Sequence, residues 1–146
     1  MAETKLKLTG TEATPTKRKM ADRWTPKLAE GGFTPIANYF LANYHRLNPP
    51  ISTPEAMLIV HLMSFKWDEN HPRPGFTKLA KRMGVTPTAV RNHARKLENS
   101  KKYLKRIMRV GRPNRFDLTL LFSALEKLVA ADAIKKKAKT AAENAA

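Results

Sequence analysis

The 146-residue chain has no cysteine. That excludes disulfides, thiol catalysis and cysteine-rich zinc sites, and it fits a reducing compartment. Long apolar runs are missing too. The longest, such as residues 56–63, are far too short to cross a bilayer. The N-terminus carries no apolar signal-peptide core. The expectation is a soluble, cytoplasmic protein with no membrane partner. Acidic residues are scarce: 12 Asp and Glu stand against 28 Lys and Arg, a net charge of +16. Such a surplus favours a polyanionic partner.

The positive charge is concentrated. Residues 76–116 hold 13 Lys and Arg and one acid, Glu98, so +12 of the total +16 lies in 41 residues. The ends differ from the middle. Residues 1–32 are rich in Lys, Thr, Glu and Pro with no clear apolar period, and read as a basic, loosely held arm bounded by Gly31-Gly32. Within it, Lys17-Arg18-Lys19 and Arg23 read as a solvated run that can touch phosphates. Residues 33–130 read as one folded domain, and residues 131–146 as a Lys/Ala-rich tail.

Inside the domain, Ile36, Tyr39, Phe40 and Tyr44 fall at helical spacing, so residues 36–46 read as a helix ended by Asn48-Pro49-Pro50. Ser52, Pro54 and Glu55 form a helix-start signature with a capping box. The helix that follows, with Met57, Leu58, Val60, His61, Leu62, Phe65 and Trp67, is apolar on most sides and reads as the central core helix. Residues 68–75 form a loop. Phe76, Leu79, Ala80 and Met83 mark a short helix, closed by Gly84 in a tight turn. Thr86 and Pro87 restart the chain as N-cap and first helical residue. Val90, Ala94 and Leu97 are the buried stripe of this second helix, residues 86–99. Period-two alternation over residues 103–109, a turn at 110–114 and a return strand over 115–119 predict a hairpin. Leu121, Phe122, Leu125, Leu128 and Val129 mark a last amphipathic helix.

The predicted fold is mainly α with a small β-hairpin wing, a winged helix-turn-helix. With the apolar stripe removed, the second helix presents Thr86, Thr88, Arg91, Asn92, Arg95 and Lys96 as a base-reading face. Arg can fork onto guanine and Asn can pair bidentately with adenine in the major groove. Arg109, Arg112, Asn114 and Arg115 on the wing suit the minor groove or phosphates. Lys78, Lys81, Arg82, Lys101 and Lys102 suit phosphate contacts.

The segments Phe76-Thr-Lys-Leu-Ala-Lys-Arg-Met-Gly84, Val85-Thr-Pro-Thr-Ala-Val-Arg-Asn-His-Ala-Arg-Lys-Leu-Glu98 and Arg112-Pro-Asn-Arg-Phe-Asp-Leu118 resemble winged-helix proteins of plasmids, phages and mobile elements. These include the replication-initiator and primosomal DnaD-type amino-terminal group. Pro35-Ile-Ala-Asn-Tyr39 and the helix at residues 58–67 are similar to that group's lead-in, so the resemblance covers about residues 33–126. It implies a winged-helix fold and binding of double-stranded DNA, in replication, transcription or element maintenance. The chain departs from the group where Glu98-Asn-Ser-Lys-Lys102 precedes the wing.

No enzyme signature accompanies this pattern. There is no phosphate-cradling loop or nucleophile elbow, and His45, His61, His71 and His93 have no metal-ligand spacing, so no catalytic residue, metal or cofactor is expected. His61 reads as a core histidine. His93 is either partly buried beside the second helix or in reach of a phosphate. Asp68-Glu69 reads as a solvated loop pair. The set Phe33, Tyr39, Phe40 and Tyr44 reads as core or as a dimer face, so a homodimer through helices 36–46 or 120–130 is open. The competing reading is a non-enzymatic accessory subunit of a larger nucleoprotein complex, holding DNA or RNA with little sequence reading.

Overall fold

Local backbone chemistry sets where the elements begin and end. The computed structural model describes residues 20–66, 73–112 and 114–145. Lys17-Arg18-Lys19, Trp67, the Asp68-Glu69 pair and His71 lie outside the described residues. The described residues are mainly helical with one small two-stranded hairpin, and the chain divides into two units, residues 1–35 and 36–146.

In the first unit, residues 20–23 are helical and Pro26–Glu30 forms helix α1. No helix is expected here from the sequence pattern. Thr25 is an N-cap whose hydroxyl accepts from the Leu28 amide at 3.2 Å, with Pro26 in the first turn. That is the same start signal as at Thr86-Pro87, without an apolar period behind it to draw attention.

The second unit opens with α2, Asn38–Asn43, two residues later than expected, and a 3-10 turn, Tyr44–Arg46. Helix α3, Thr53–Met63, follows the expected cap: Glu55 N–H donates to Ser52 Oγ at 3.4 Å, and Ser52 N–H donates to Glu55 Oε1 at 2.8 Å. Helix α4 is Phe76–Met83 and α5 is Pro87–Arg95, extended by a widened π turn, Lys96–Ser100. Strands β1, Lys105–Ile107, and β2, Arg115–Asp117, pair antiparallel, Lys105 opposite Asp117 and Ile107 opposite Arg115. Helix α6 is Thr119–Ala145.

Helix α3 lies at the centre, with Leu58, Ile59 and Leu62 buried among Leu79 and Ala80 of α4, Val90 and Ala94 of α5, Leu97, Phe116, Leu118 and Leu121. Phe40 is buried in this core and Tyr44 packs against it, ring centres 5.6 Å apart. Leu121 is buried too, and Phe122, Leu125 and Leu128 pack on the same core. The apolar sides of both candidate dimer helices are therefore turned largely inward.

The hairpin is shorter than its sequence pattern. Tyr103 and Leu104 are both buried, so the alternation begins only at Lys105. Their amides converge on the Leu97 carbonyl, at 2.8 and 3.3 Å, and the Tyr103 hydroxyl donates to the Pro49 carbonyl at 2.5 Å. Pairing ends at Asp117 and not at Thr119, because the Asp117 carboxylate accepts the Thr119 amide at 2.9 Å and so starts α6.

Nor does α6 end near residue 130. It continues through the Lys/Ala-rich segment, whose alanines and lysines are good helix formers. A bidentate ion pair holds it beyond the core: Arg46 donates to both Asp132 oxygens, at 3.0 and 2.9 Å, and the Tyr39 hydroxyl donates to Asp132 at 2.5 Å. These bonds, from Arg46 above all, hold the Asp132 carboxyl well below the usual carboxylate range.

One buried pair links the start of α3 to the end of the π turn. The Glu55 carboxylate, almost fully enclosed, receives the Lys101 ammonium. Burial alone pushes the Glu55 pKa up, but the bonds from Lys101 and Ser52 outweigh it and hold the group below its ordinary value. Lys101→Met leaves this carboxylate unpaired and is expected to destabilise the fold by about 3 kcal/mol in urea denaturation. A carboxyl with a lowered folded pKa contributes its stability above the unfolded value. That contribution is lost as pH falls through the folded value, so wild type loses part of its stability in acid, below about pH 4.5.

Candidate nucleic-acid interface

The basic surface is built on α4, α5 and the hairpin. Between the two helices, Gly84 stands at φ 71°, ψ 31°, a left-handed conformation that costs a residue with a side chain about 1 kcal/mol. The Gly84 and Val85 amides both return to the Ala80 carbonyl, which turns the chain sharply. Thr86 then starts α5, its hydroxyl accepting from the Ala89 amide at 3.1 Å.

Val90 and Ala94 are fully buried on one side of α5, and Leu97 continues that side into the π turn. On the other side Thr86, Thr88, Arg91, Asn92, Arg95 and Lys96 are all exposed. His93 is half-buried. An open cleft of about 360 Å³ lies along the far end of this face, lined by Asn92, Arg95, Lys96, Asn99 and Ser100.

Phe76 joins the three elements. Its ring meets Phe116 of β2 edge-on, centres 5.9 Å apart and planes at 67°. The guanidinium groups of Arg91 and Arg106 lie 5.9 and 5.5 Å from its centre. Arg91 is thus placed by α4 as well as by its own helix. Lys78 and Arg82 approach the Phe65 ring at 5.3 and 4.8 Å, while both side chains stay exposed, as does Lys81.

On the hairpin, Arg112 and Arg115 are exposed, and Arg109 and Asn114 half-buried. Arg112 and Asn114 meet Pro74, Gly75 and Phe76 around a cleft of about 200 Å³ at the start of α4. The Arg109 pKa is lowered by partial burial and by the charges of Arg115, Arg73 and Arg112. The hairpin cations therefore repel one another.

Tertiary contacts reassign some cations. Lys101, read from sequence as a phosphate contact, has its ammonium on Glu55 and serves the fold. Arg106, not singled out from sequence, pairs with Glu98, the single acid of residues 76–116. Arg73 joins the hairpin arginines, although its position in a Pro-rich loop gave no such signal. Two acids beside the basic surface, Glu55 and Glu98, are thus each paired with a cation. His61 is half-buried, its pKa lowered by burial and by the Arg82 charge. Among the described residues, no group of three or more His, Asp or Glu is placed to hold a metal ion, and no helix is long and apolar enough to cross a membrane.

Comparison with family models, curated proteins and solved structures returns no match.

Lys102 stands at φ 58° just after the π turn, which a side chain disfavours. Lys102→Gly is expected to raise stability by about 0.5–1 kcal/mol, read from the urea midpoint, because it removes that strain from the native backbone.

Proposed function

We propose that this chain is a winged helix-turn-helix protein that binds double-stranded DNA in a sequence-specific way. In this reading it acts as a transcriptional regulator or a replication or maintenance factor of a mobile element. The observation that carries the proposal is the two-sidedness of α5. Its inner side is locked into the core by Val90 and Ala94, while its outer side presents Thr88, Arg91, Asn92 and Arg95 at i, i+3, i+4 and i+7, all exposed. A solvated helix has no need of this Arg/Asn set. The major groove offers guanine O6 and N7 to arginine and adenine N6 and N7 to asparagine.

In this reading α5 lies in the major groove with its N-terminal end foremost, and the amides after Thr86 face a phosphate. The hairpin arginines enter the adjacent minor groove or grip its phosphates, where their mutual repulsion is relieved. Lys78, Lys81 and Arg82 at α4 hold the backbone. The sequence resemblance to plasmid and phage winged-helix proteins supports the same reading.

Selection of bound duplexes from random DNA at near-physiological salt tests it. A defined motif is the expected outcome, and an inverted repeat would indicate two copies on one site. Arg91→Ala and Asn92→Ala should each relax preference at one base position, by about 1–3 kcal/mol, a 5- to 150-fold loss of discrimination. Lys81→Ala should weaken all sequences alike and reduce the salt slope by about 1. Tight low-salt binding without an enriched motif would instead favour an accessory subunit of a nucleoprotein complex.

A further inference from the structure

We propose that the C-terminal half of α6 is a second, separate polyanion-binding arm, which holds the phosphates of duplex DNA outside the region contacted by α5 and the hairpin. The proposal rests on the DNA-binding reading above and extends it to a segment that reading leaves unused.

The inward side of α6 is defined by its contacts. Leu121, Leu125 and Leu128 pack on the core, and Asp132 meets Arg46 and Tyr39. These positions are i, i+4, i+7 and i+11, one continuous stripe of a helix. Its next members, three, four, seven and eleven residues past Asp132, are Lys135, Lys136, Lys139 and Glu143. The stripe thus changes from leucine to lysine where the helix passes Asp132. The outward side of the same segment carries Ile134 and Lys137, both exposed, with Ala131 and Ala138 at its flank. An ordinary surface helix keeps apolar residues along the side that continues its packing stripe. Here the side continuous with the packed face turns mainly basic and Lys137 adds a cation on the opposite side, so the segment is suited to anions and not to more protein core.

The charges have little to balance them. Residues 133–145 hold four lysines and one acid, Glu143, a net +3. Lys135 and Lys139 are four apart on one face, a like-charge pair that disfavours the helix. Asp132, within a turn of Lys135, is already taken by Arg46 and Tyr39. Among the described residues, no ion pair reaches Lys136, Lys137 or Lys139. Phosphates supply the missing counter-charge at a matching scale: the four lysines lie within residues 135–139, about 6 Å of helix at 1.5 Å per residue, against one phosphate charge per roughly 1.7 Å of duplex axis. The Arg46–Asp132 pair makes this a held arm, because it fixes the helix at the point where packing stops.

The test uses the full chain with Lys135, Lys136, Lys137 and Lys139 all changed to Ala. Alanine is the best helix former and removes the like-charge pair, so circular dichroism should show the helix retained. The DNA motif obtained by selection should be unchanged, while the slope of log affinity against log salt loses about three units, at roughly 0.9 per phosphate. The matching four Lys→Arg changes should restore the slope. Asp132→Asn should give a partial loss with the motif again unchanged. If the wild type selects a motif and the Ala variant keeps its full salt slope, the arm is overturned and the reading of α5 stands. If the Ala variant instead loses only binding to vesicles of acidic lipid, the arm binds membranes and this proposal is wrong. If the wild type shows no DNA binding at all, the arm fails together with the reading it rests on.

Discussion

The basic surface depends on how α5 is tied to α3, and beside the packing of Val90 and Ala94 the buried Glu55–Lys101 pair anchors its far end. Glu55 sits in the first turn of the central helix, where it closes the capping box with Ser52. Its carboxylate would be costly to bury alone, and the capping bonds satisfy only part of it. Lys101 supplies the rest from just beyond the π turn that follows α5. The widened turn, the left-handed Lys102 and the two amides on the Leu97 carbonyl bring the lysine to this position and send Tyr103 and Leu104 into the core. One pair therefore fixes both the far end of α5 and the entry to the hairpin.

The same residue type serves opposite ends along this stretch. Lys101 and Arg106 neutralise acids, and so let the chain carry a strongly basic surface over an intact core. The exposed cations of α5 and the hairpin, with Arg73, are left crowded. Crowded like charges destabilise a free protein and favour association with a polyanion. Helix α6 extends this logic past the core. Its packing stripe turns from leucine to lysine at the residue where Arg46 and Tyr39 take hold of Asp132.

Much of the architecture was readable because its signals are local. Ser52 with Glu55, Gly84 after Met83 and Thr86 before Pro87 act through the backbone within a few residues, and each lies where the sequence places it. The exposed side of α5 followed by subtraction once Val90, Ala94 and Leu97 were assigned inward. The period-two pattern of residues 103–109 predicts longer strands than form, because it is indifferent to whether Tyr103 and Leu104 face a sheet or a core. Apolar periodicity ends near Val129, yet the last helix runs on, because alanine and lysine sustain a helix without it.

The sequence by itself determined the starts of α3, α4 and α5, the left-handed turn between α4 and α5, the concentration of positive charge and which side of α5 is polar. These follow from chemistry between near neighbours in the chain. Only the tertiary structure decided which cations are engaged in the fold and which face outward. Glu55 and Lys101 are 46 residues apart, and Arg46 and Asp132 are 86 apart. Whether a charge is paired depends on distance in space and on the burial that strengthens it, and neither is written in the spacing of residues along the chain.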